Sequence, residues 1–284
     1  MKRILITGAN SYVGTNVEKW LLKEPDKYHV ETLDMKDPNW INFDFSKFDV
    51  VFHVAGIAHS TPKRSEKDLY YRINTQLTVD TAKKAKEAGV KQFIFMSSMI
   101  IYNKSERKID FDTVPNPDNF YGNSKLKAEN GLKEIEDERF KVAIVRPPMI
   151  YGFGSKGNFS RLLGLTKRTP VFPNISNKRS ILYIDNLSLT IEYLIEYDLK
   201  GIYFPQNKET ISTSQIVKII SAIYNKNIWF TRIFNPFIYV FTKFSITFNK
   251  LFSDSYYDQI MSNNLFELNY VSTEESLRKM VNHE

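Results

Sequence analysis

The sequence predicts an α/β fold built on a doubly wound parallel sheet, followed by a smaller C-terminal α/β region. Three observations predict it. Short β-branched runs alternate with stretches of helical periodicity from residue 2 to residue 145. Several of those runs are apolar throughout, as strands covered on both faces are. The chain has 284 residues, 42% hydrophobic and 25% charged, enough to bury a sizeable core.

Lys2 to Thr7 is a β-branched run that ends in a turn and reads as a buried strand. Val13, Val17, Trp20 and Leu21 recur at helical spacing, which predicts a helix over 14–23. Tyr28 to Leu33 and Val50 to Val54 are the next strands. Residues 66–88 read as one long helix, with Ile73, Leu77, Ala85 and Ala88 inward and Gly89 as its stop. Gln92 to Met96 is a strand, Tyr121 to Glu136 a helix and Val142 to Val145 a strand. Beyond these, Ser180 to Ile184 and Ile202 to Phe204 read as strands, and Ser212 to Ile223 as a helix capped by Ser212 or Thr213. The expected division is a dinucleotide-binding domain over 1–147 and a mainly substrate-binding region over 148–284. Part of 180–205 is expected to return to the first sheet.

The net charge of +7 is spread along the chain rather than clustered, which argues against a nucleic-acid partner. There is no cysteine, so neither disulfides nor thiolate metal sites are expected, and no metal is assigned. The apolar start Ile4-Leu5-Ile6 stops at Thr7-Gly8, too short for a secretory signal, and a cytoplasmic address is expected. Ile233 to Thr242 is too short to span a bilayer, which takes ~20 residues, and Pro236 interrupts it.

The chemistry begins in the turn Thr7-Gly8-Ala9-Asn10-Ser11-Tyr12-Val13-Gly14. Gly8 stands where the chain leaves the strand sharply, and Gly14 lets the next helix pack closely. The helix N-terminus offers free N–H groups and a positive dipole end to a pyrophosphate. Asp34 lies at the end of the next strand, twenty residues after Gly14, where a carboxylate can accept from both ribose hydroxyls of adenosine. A Rossmann-type dinucleotide site is expected. Asp34 repels a 2′-phosphate and Lys36 partly offsets it, so NAD is expected and NADP stays open.

Tyr121 and Lys125 are four apart on a helix and share a face. A nearby ammonium would lower the phenol from its ordinary value near ~10 and let it exchange protons with a hydroxyl or ketone. Ser98 follows the strand 92–96, at the carboxyl edge where such sheets hold ligands, and could orient a substrate oxygen.

With these residues in place the chain resembles the extended short-chain dehydrogenases/reductases (SDR) of the NAD-dependent epimerase/dehydratase type, which act on nucleotide-sugars. The resemblance rests on Gly8 to Gly14, Val51-Phe52-His53-Val54-Ala55-Gly56, Phe93 to Tyr102, Tyr121-Gly-Asn-Ser-Lys125 and Arg146-Pro-Pro-Met-Ile-Tyr-Gly152. It implies Ser98, Tyr121 and Lys125 as the catalytic trio, Ser98 standing four before Tyr102. It implies Gly8, Asn10, Ser11, Tyr12, Val13, Gly14, Asp34, Asp44, Ala55, Tyr121, Lys125 and Pro148 about the cofactor, with Asp34 and Asp44 at the adenosine end and Pro148 by the nicotinamide. Two departures stand out. Ser11 replaces the family's middle glycine, so its side chain must turn from the phosphates or the cofactor must sit further out. Met99-Ile100 replace the Asp-Glu that family dehydratases carry after the catalytic hydroxyl, which argues against removal of water.

By the same resemblance the C-terminal half grips a UDP-sugar: Asn158, Phe159 and Arg179 meet the diphosphate, and Val171 and Phe172 match the uracil-stacking segment. Lys91 to Ser98, Val142 to Gly152 and Arg179 to Ile184 look like capsule and O-antigen reductases. Those reduce UDP-2-acetamido-2,6-dideoxy-4-hexulose to UDP-N-acetylfucosamine (UDP-FucNAc) or UDP-N-acetylquinovosamine (UDP-QuiNAc). UDP-sugar 4-epimerisation with catalytic NAD is the alternative. The aromatic stretch 228–252 leaves three readings open: a helix pair over the substrate cleft, a homodimer surface, or a peripheral membrane contact.

Overall fold

The computed structural model describes residues 1–58, 64–155 and 157–282; the side chains of Asn158, Ile246, Thr247 and Asn282 lie outside that set. In chain order the strands are β1 (Lys2–Thr7), β2 (Tyr28–Leu33), β3 (Val50–His53), β4 (Gln92–Met96), β5 (Lys108–Ile109), β6 (Lys141–Val145), β7 (Met149–Tyr151), β8 (Val171–Pro173), β9 (Ile181–Tyr183), β10 (Gly201–Tyr203), β11 (Trp229–Thr231) and β12 (Tyr256–Tyr257). The helices are α1 (Tyr12–Leu21), α2 (Lys67–Tyr70), α3 (Leu77–Glu87), α4 (Phe120–Ile135), α5 (Asn158–Arg168), α6 (Ile184–Glu196), α7 (Thr213–Ile223), α8 (Asn235–Phe244), α9 (Ile246–Phe252), α10 (Asn263–Phe266) and α11 (Thr273–Asn282). The chain divides into two units. One is Met1–Lys104, Thr113–Pro147 and Ile184–Pro205; the other is Ser105–Asp112, Pro148–Tyr183 and Gln206–Glu284.

The first unit carries the predicted doubly wound sheet. Its six strands run in the order β10-β6-β4-β3-β1-β2, and every pair is parallel. Alternation along the strands sends Leu5, Val51, Phe93 and Phe95 to one face, where they join Ala82 and Ala85 of α3 and Ala128 and Leu132 of α4. The alternate residues Ile4, Ile6, Phe52 and Ile94 are equally buried on the other face, which α1 and α6 cover. Each such side chain, fully buried, stabilises by about 1.5–3 kcal/mol. Gln92, buried at the start of β4, donates to the carbonyls of Leu194 and Leu199 (2.8 Å each), which ties the end of α6 to the sheet. His53 is sealed between the hydroxyls of Thr7 (2.7 Å) and Thr78 (3.1 Å), and burial pushes it down to about 3, so it is neutral.

Three local expectations change. The helix expected over 14–23 begins at Tyr12, because Ser11 caps it. The single helix expected over 66–88 is interrupted by a wider π-helical turn at Tyr71–Gln76, between α2 and α3. The strand expected over 180–184 shortens to β9 and pairs with β7, while the part of 180–205 that adds a strand to the main sheet is β10, beside β6.

The second unit is built from short parallel pairs, β7 with β9, β8 with β11 and β5 with β12, and from helices. Ser212 caps α7 through a reciprocal capping box with Gln215. Buried Asn207 bridges β9, accepting from the Tyr183 N–H (3.1 Å) and donating to the Tyr151 hydroxyl (2.9 Å).

Candidate active site

The neighbouring strands β2-β1-β3 place a topological switch point at the carboxyl ends of β1 and β3, where open α/β sheets hold ligands. Gly8 leaves β1 with φ +103°, and a Cβ there would stand 2.8 Å from the Ala55 nitrogen, so no side chain fits. Ser11 resolves the missing glycine of the turn. Its hydroxyl bends inward and accepts from the Gly14 N–H (3.1 Å), capping α1. A Cβ on Gly14 would lie 2.7 Å from that hydroxyl, so the serine and the glycine are one arrangement. Ser11 thereby occupies one N–H that an anion would otherwise find free; the other N–H groups of the first turn and the dipole end persist. Asn10 takes φ 62° without being glycine. Tyr12 and Val13 are half-buried in the first turn, and Ala55 is buried beneath Gly8.

Asp34 and Asp44 are both exposed. Asp34 accepts from the Lys36 N–H (3.0 Å) just beyond β2. Asp44 accepts from the N–H (3.0 Å) and hydroxyl (2.7 Å) of Ser46, which hold its carboxyl below the usual range. The cradle without room for a side chain, the helix N-terminus and the open carboxylate at the strand end fit a dinucleotide.

The trio comes together at the end of β4. Ser98, half-buried, starts a short 3₁₀ turn and accepts from the Ile100 N–H (3.3 Å). Its hydrogen bond with Tyr121 pulls that phenol down, but burial and the Tyr70 ring, 5.7 Å away, outweigh it and leave Tyr121 at about 12. This corrects the expectation that Lys125 lowers the phenol. The Lys125 ammonium instead donates to the Met96 carbonyl (2.8 Å) and lies 4.6 Å over the Phe95 ring. Burial pushes Lys125 itself down to about 8, against the opposing pull of Glu129. Gly56 leaves the space this requires: a Cβ there would meet Asn74 Oδ1 at 3.0 Å and Lys125 Nζ at 3.2 Å.

Two features escape the sequence reading. Asn74, buried on the π-helical turn, clamps Ile57 through both backbone groups (2.8 and 3.1 Å) and donates to Ser124 (3.1 Å). Nothing in the local sequence announces a π-helical turn, although such turns gather at functional sites. The second is Glu129, one turn beyond Lys125 on the same face of α4. It forms a buried ion pair with Arg146 (2.5 Å) and accepts from Ser97 (2.5 Å), while Arg146 donates to the Tyr102 hydroxyl (2.8 Å). Extending the Tyr121–Lys125 spacing by four more residues reaches it.

In the second unit, Arg179 is half-buried. It exchanges backbone hydrogen bonds with Ile211 and donates from Nη1 to the Ser253 carbonyl (3.1 Å). Burial pushes its guanidinium down to about 10, against the opposing pull of Asp254, which makes no direct ion pair with it. Phe172 is 2% exposed, its ring packed against Phe230 and Phe252, so within the expected uracil-stacking segment that ring is not free to stack on a base; Val171 is half-buried. The Phe159 ring stacks on Tyr151 (4.7 Å), which leaves its backbone for contact. The side chain of Asn158 lies outside the described residues. Pro148 is buried at the entry to β7. Among the described residues no group of His, Cys, Asp and Glu is arranged to hold a metal, and no helix is long and apolar enough to cross a membrane.

Residues 4–201 match the model of the NAD dependent epimerase/dehydratase family. A UDP-glucose 4-epimerase of Vibrio cholerae is 31% identical over 254 residues, covering 80% of this chain and 77% of the relative. The N-acetyl-α-D-glucosaminyl-diphospho-ditrans,octacis-undecaprenol 4-epimerase of Escherichia coli O157:H7 is 28% identical, covering 79% and 73%. The fold is shared with a dTDP-4-dehydrorhamnose reductase from Bacillus anthracis in complex with NADP (TM-score 0.75, 22% identity, 100% and 99% covered). It is shared as well with a UDP-glucuronic acid 4-epimerase from Bacillus cereus in complex with NAD (TM-score 0.76, 20% identity, 99% and 98% covered). The glycine cradle, the Ser98–Tyr121–Lys125 trio and the matched stretch agree: this chain belongs to the NAD-dependent epimerase/dehydratase family of nucleotide-sugar enzymes.

Proposed function

We propose that the chain reduces C4 of a UDP-linked sugar, taking UDP-2-acetamido-2,6-dideoxy-4-hexulose to UDP-FucNAc or UDP-QuiNAc for surface (capsule) polysaccharide, in the cytoplasm. The observation that carries this reading is the Ser98–Tyr121 pair at the end of β4. The Ser98 hydroxyl stands beside a phenol that burial pushes up to about 12, so Tyr121 is protonated at neutral pH, which suits donation to a carbonyl oxygen. Bound nicotinamide supplies the hydride. Tyr121 gives its proton to the C4 oxygen, so ketone, hydride and proton sum to the alcohol. Ser98 holds that oxygen. Lys125 would hold the nicotinamide ribose and return a proton to Tyr121 after the transfer. Met99 and Ile100 have no acid or base group to move a proton, which supports reduction or epimerisation over loss of water.

Gly8 and the first turn of α1 would hold the pyrophosphate, Asp34 and Asp44 the adenosine end, and Ala55 and Pro148 the nicotinamide side. Arg179 is assigned to the diphosphate of the UDP-sugar, because it is a partly buried cation whose nearby carboxylate, Asp254, makes no direct ion pair with it. Asn158, Phe159, Val171 and Phe172 are assigned beside it through their backbones.

The second reading is UDP-sugar 4-epimerisation with catalytic NAD. It is favoured by the names of the relatives at 31% and 28% identity and by Asp34, which suits NAD. One assay separates the two. With the 4-keto sugar and NADH or NADPH, a reductase consumes reduced nicotinamide stoichiometrically, seen as lost absorbance. No loss of absorbance, with interconversion of UDP-glucose or UDP-N-acetylglucosamine epimers, would replace the first reading by the second.

A further inference from the structure

Helix α8 is amphipathic in the wrong direction. Phe234, Phe237, Phe241 and Phe244 recur at spacings of three, four and three, which lines them along one side of the helix, with Val240 among them. That side faces solvent: the five residues are 48%, 66%, 52%, 82% and 56% exposed in the order named. Only Ile238 of this helix is buried. Trp229, Ile233 and Tyr239 are more than half exposed as well. An apolar stripe of this kind ordinarily covers a core.

The charge around it is one-sided. From Glu209 to Asp254 the chain holds five cations, Lys218, Lys226, Arg232, Lys243 and Lys250, and no Asp or Glu between those two acids. Arg232, just before the helix, and Lys243, in its last turn, are exposed. Pairing this face with a second copy of itself would bring Arg232 and Lys243 toward their own equivalents, with no carboxylate from this stretch to offset them. A surface of lipid phosphates supplies the missing charge, and its headgroup layer suits Phe, Trp and Tyr with flanking Lys and Arg. A helix of ten residues is about 15 Å long, right for lying along an interface and too short to cross one of about 30 Å.

We propose that α8, with Trp229 and Ile233 before it, docks on the anionic surface of a lipid bilayer, the phenylalanine stripe sinking into the headgroup layer and Arg232 and Lys243 meeting phosphates. This goes beyond the C4 reaction and does not depend on it.

The test is sedimentation of the full chain with vesicles of phosphatidylcholine alone and of phosphatidylcholine with phosphatidylglycerol, at low and high salt. Most of the protein is expected to pellet with the anionic vesicles at low salt, with little on the neutral ones. Phe237→Ser/Phe244→Ser is expected to lower the anionic partition by at least about tenfold. Melting temperature and cofactor binding stay unchanged, because both rings project into solvent. Arg232→Gln/Lys243→Gln is expected to weaken the partition and flatten its salt dependence. Failure of the wild type to pellet at low salt, or equal pelleting of the phenylalanine variant, overturns the proposal. A wild-type dimer seen by light scattering, which the phenylalanine variant converts to monomer while vesicle binding is absent, overturns it in favour of a second copy.

Discussion

Around Glu129 the chain buries charge, and along α8 it exposes aromatic rings. Both depart from the usual partition of polar and apolar groups, yet they differ in what completes them. The Ser97–Glu129–Arg146–Tyr102 cluster is complete within its own unit: Glu129 accepts from Ser97 and Arg146, Arg146 donates onward to Tyr102, and its guanidinium also faces the Phe204 ring. Its desolvation cost is offset by its own partners, and what it secures is geometry, since Ser97 precedes Ser98 and Glu129 stands one turn from Lys125. Among the described residues the α8 stripe has no such completion: Phe241 meets the Phe248 ring at 5.6 Å, yet the stripe stays 48% to 82% exposed. A departure completed internally points to a site being held in place; one left open points to something outside the molecule.

The comparison breaks most readily at Glu129. Glu129→Ala leaves the Arg146 charge buried without its partner and is expected to cost about 3–5 kcal/mol, read by denaturant unfolding. Glu129→Ala combined with Arg146→Met is expected to cost less than Glu129→Ala alone; a double variant that loses the sum of the two single losses would deny the coupling.

Lys125 gives the next effect, through pH. Its folded value near 8 lies below the ordinary 10.5, so between those values the unfolded chain binds more protons than the folded one. Stability from this group therefore rises with pH from 8 to 10.5, by up to about 3 kcal/mol. Tyr121 carries the opposite sign, since its folded value is raised: its contribution is present below pH 10 and is lost as pH climbs from 10 to 12. Unfolding free energies between pH 8 and 10 isolate the lysine, and Lys125→Met is expected to flatten that rise.

Ser11→Ala removes the cap of α1 and is expected to cost about 1 kcal/mol by thermal melting. The smallest effect belongs to the other half of the comparison. Phe237→Ser/Phe244→Ser is expected to change stability by no more than about 0.5 kcal/mol per site, because rings 66% and 82% exposed contribute little to the core. A loss of several kcal/mol there would mean that the stripe is structural.

Legibility in the sequence followed the range of the interactions. The strands of the first sheet announce themselves because burial on both faces demands unbroken apolar runs, as in Phe93-Ile94-Phe95. Ser212 is readable as a cap because capping is local. Tyr121 and Lys125 are readable because four residues make one helical turn. By contrast, β5 and β12 are two-residue strands that exist by pairing Lys108 with Tyr256 and Ile109 with Tyr257, far apart in the chain. The π-helical turn that presents Asn74 leaves no periodic trace. The state of Tyr121 was unreadable for the same reason: spacing puts Lys125 on its face, but only the fold reveals that the ammonium turns to Met96. Phe172 likewise looks available for stacking until Phe230 and Phe252 close over it.

The most direct test is Tyr121→Phe, which removes one hydroxyl and keeps the ring. Turnover of the UDP-sugar is measured beside cofactor affinity in wild type and variant. The proposed proton transfer predicts a loss of about 10²–10⁴-fold in turnover with cofactor binding retained. A variant that reduces or epimerises C4 at the wild-type rate would contradict it.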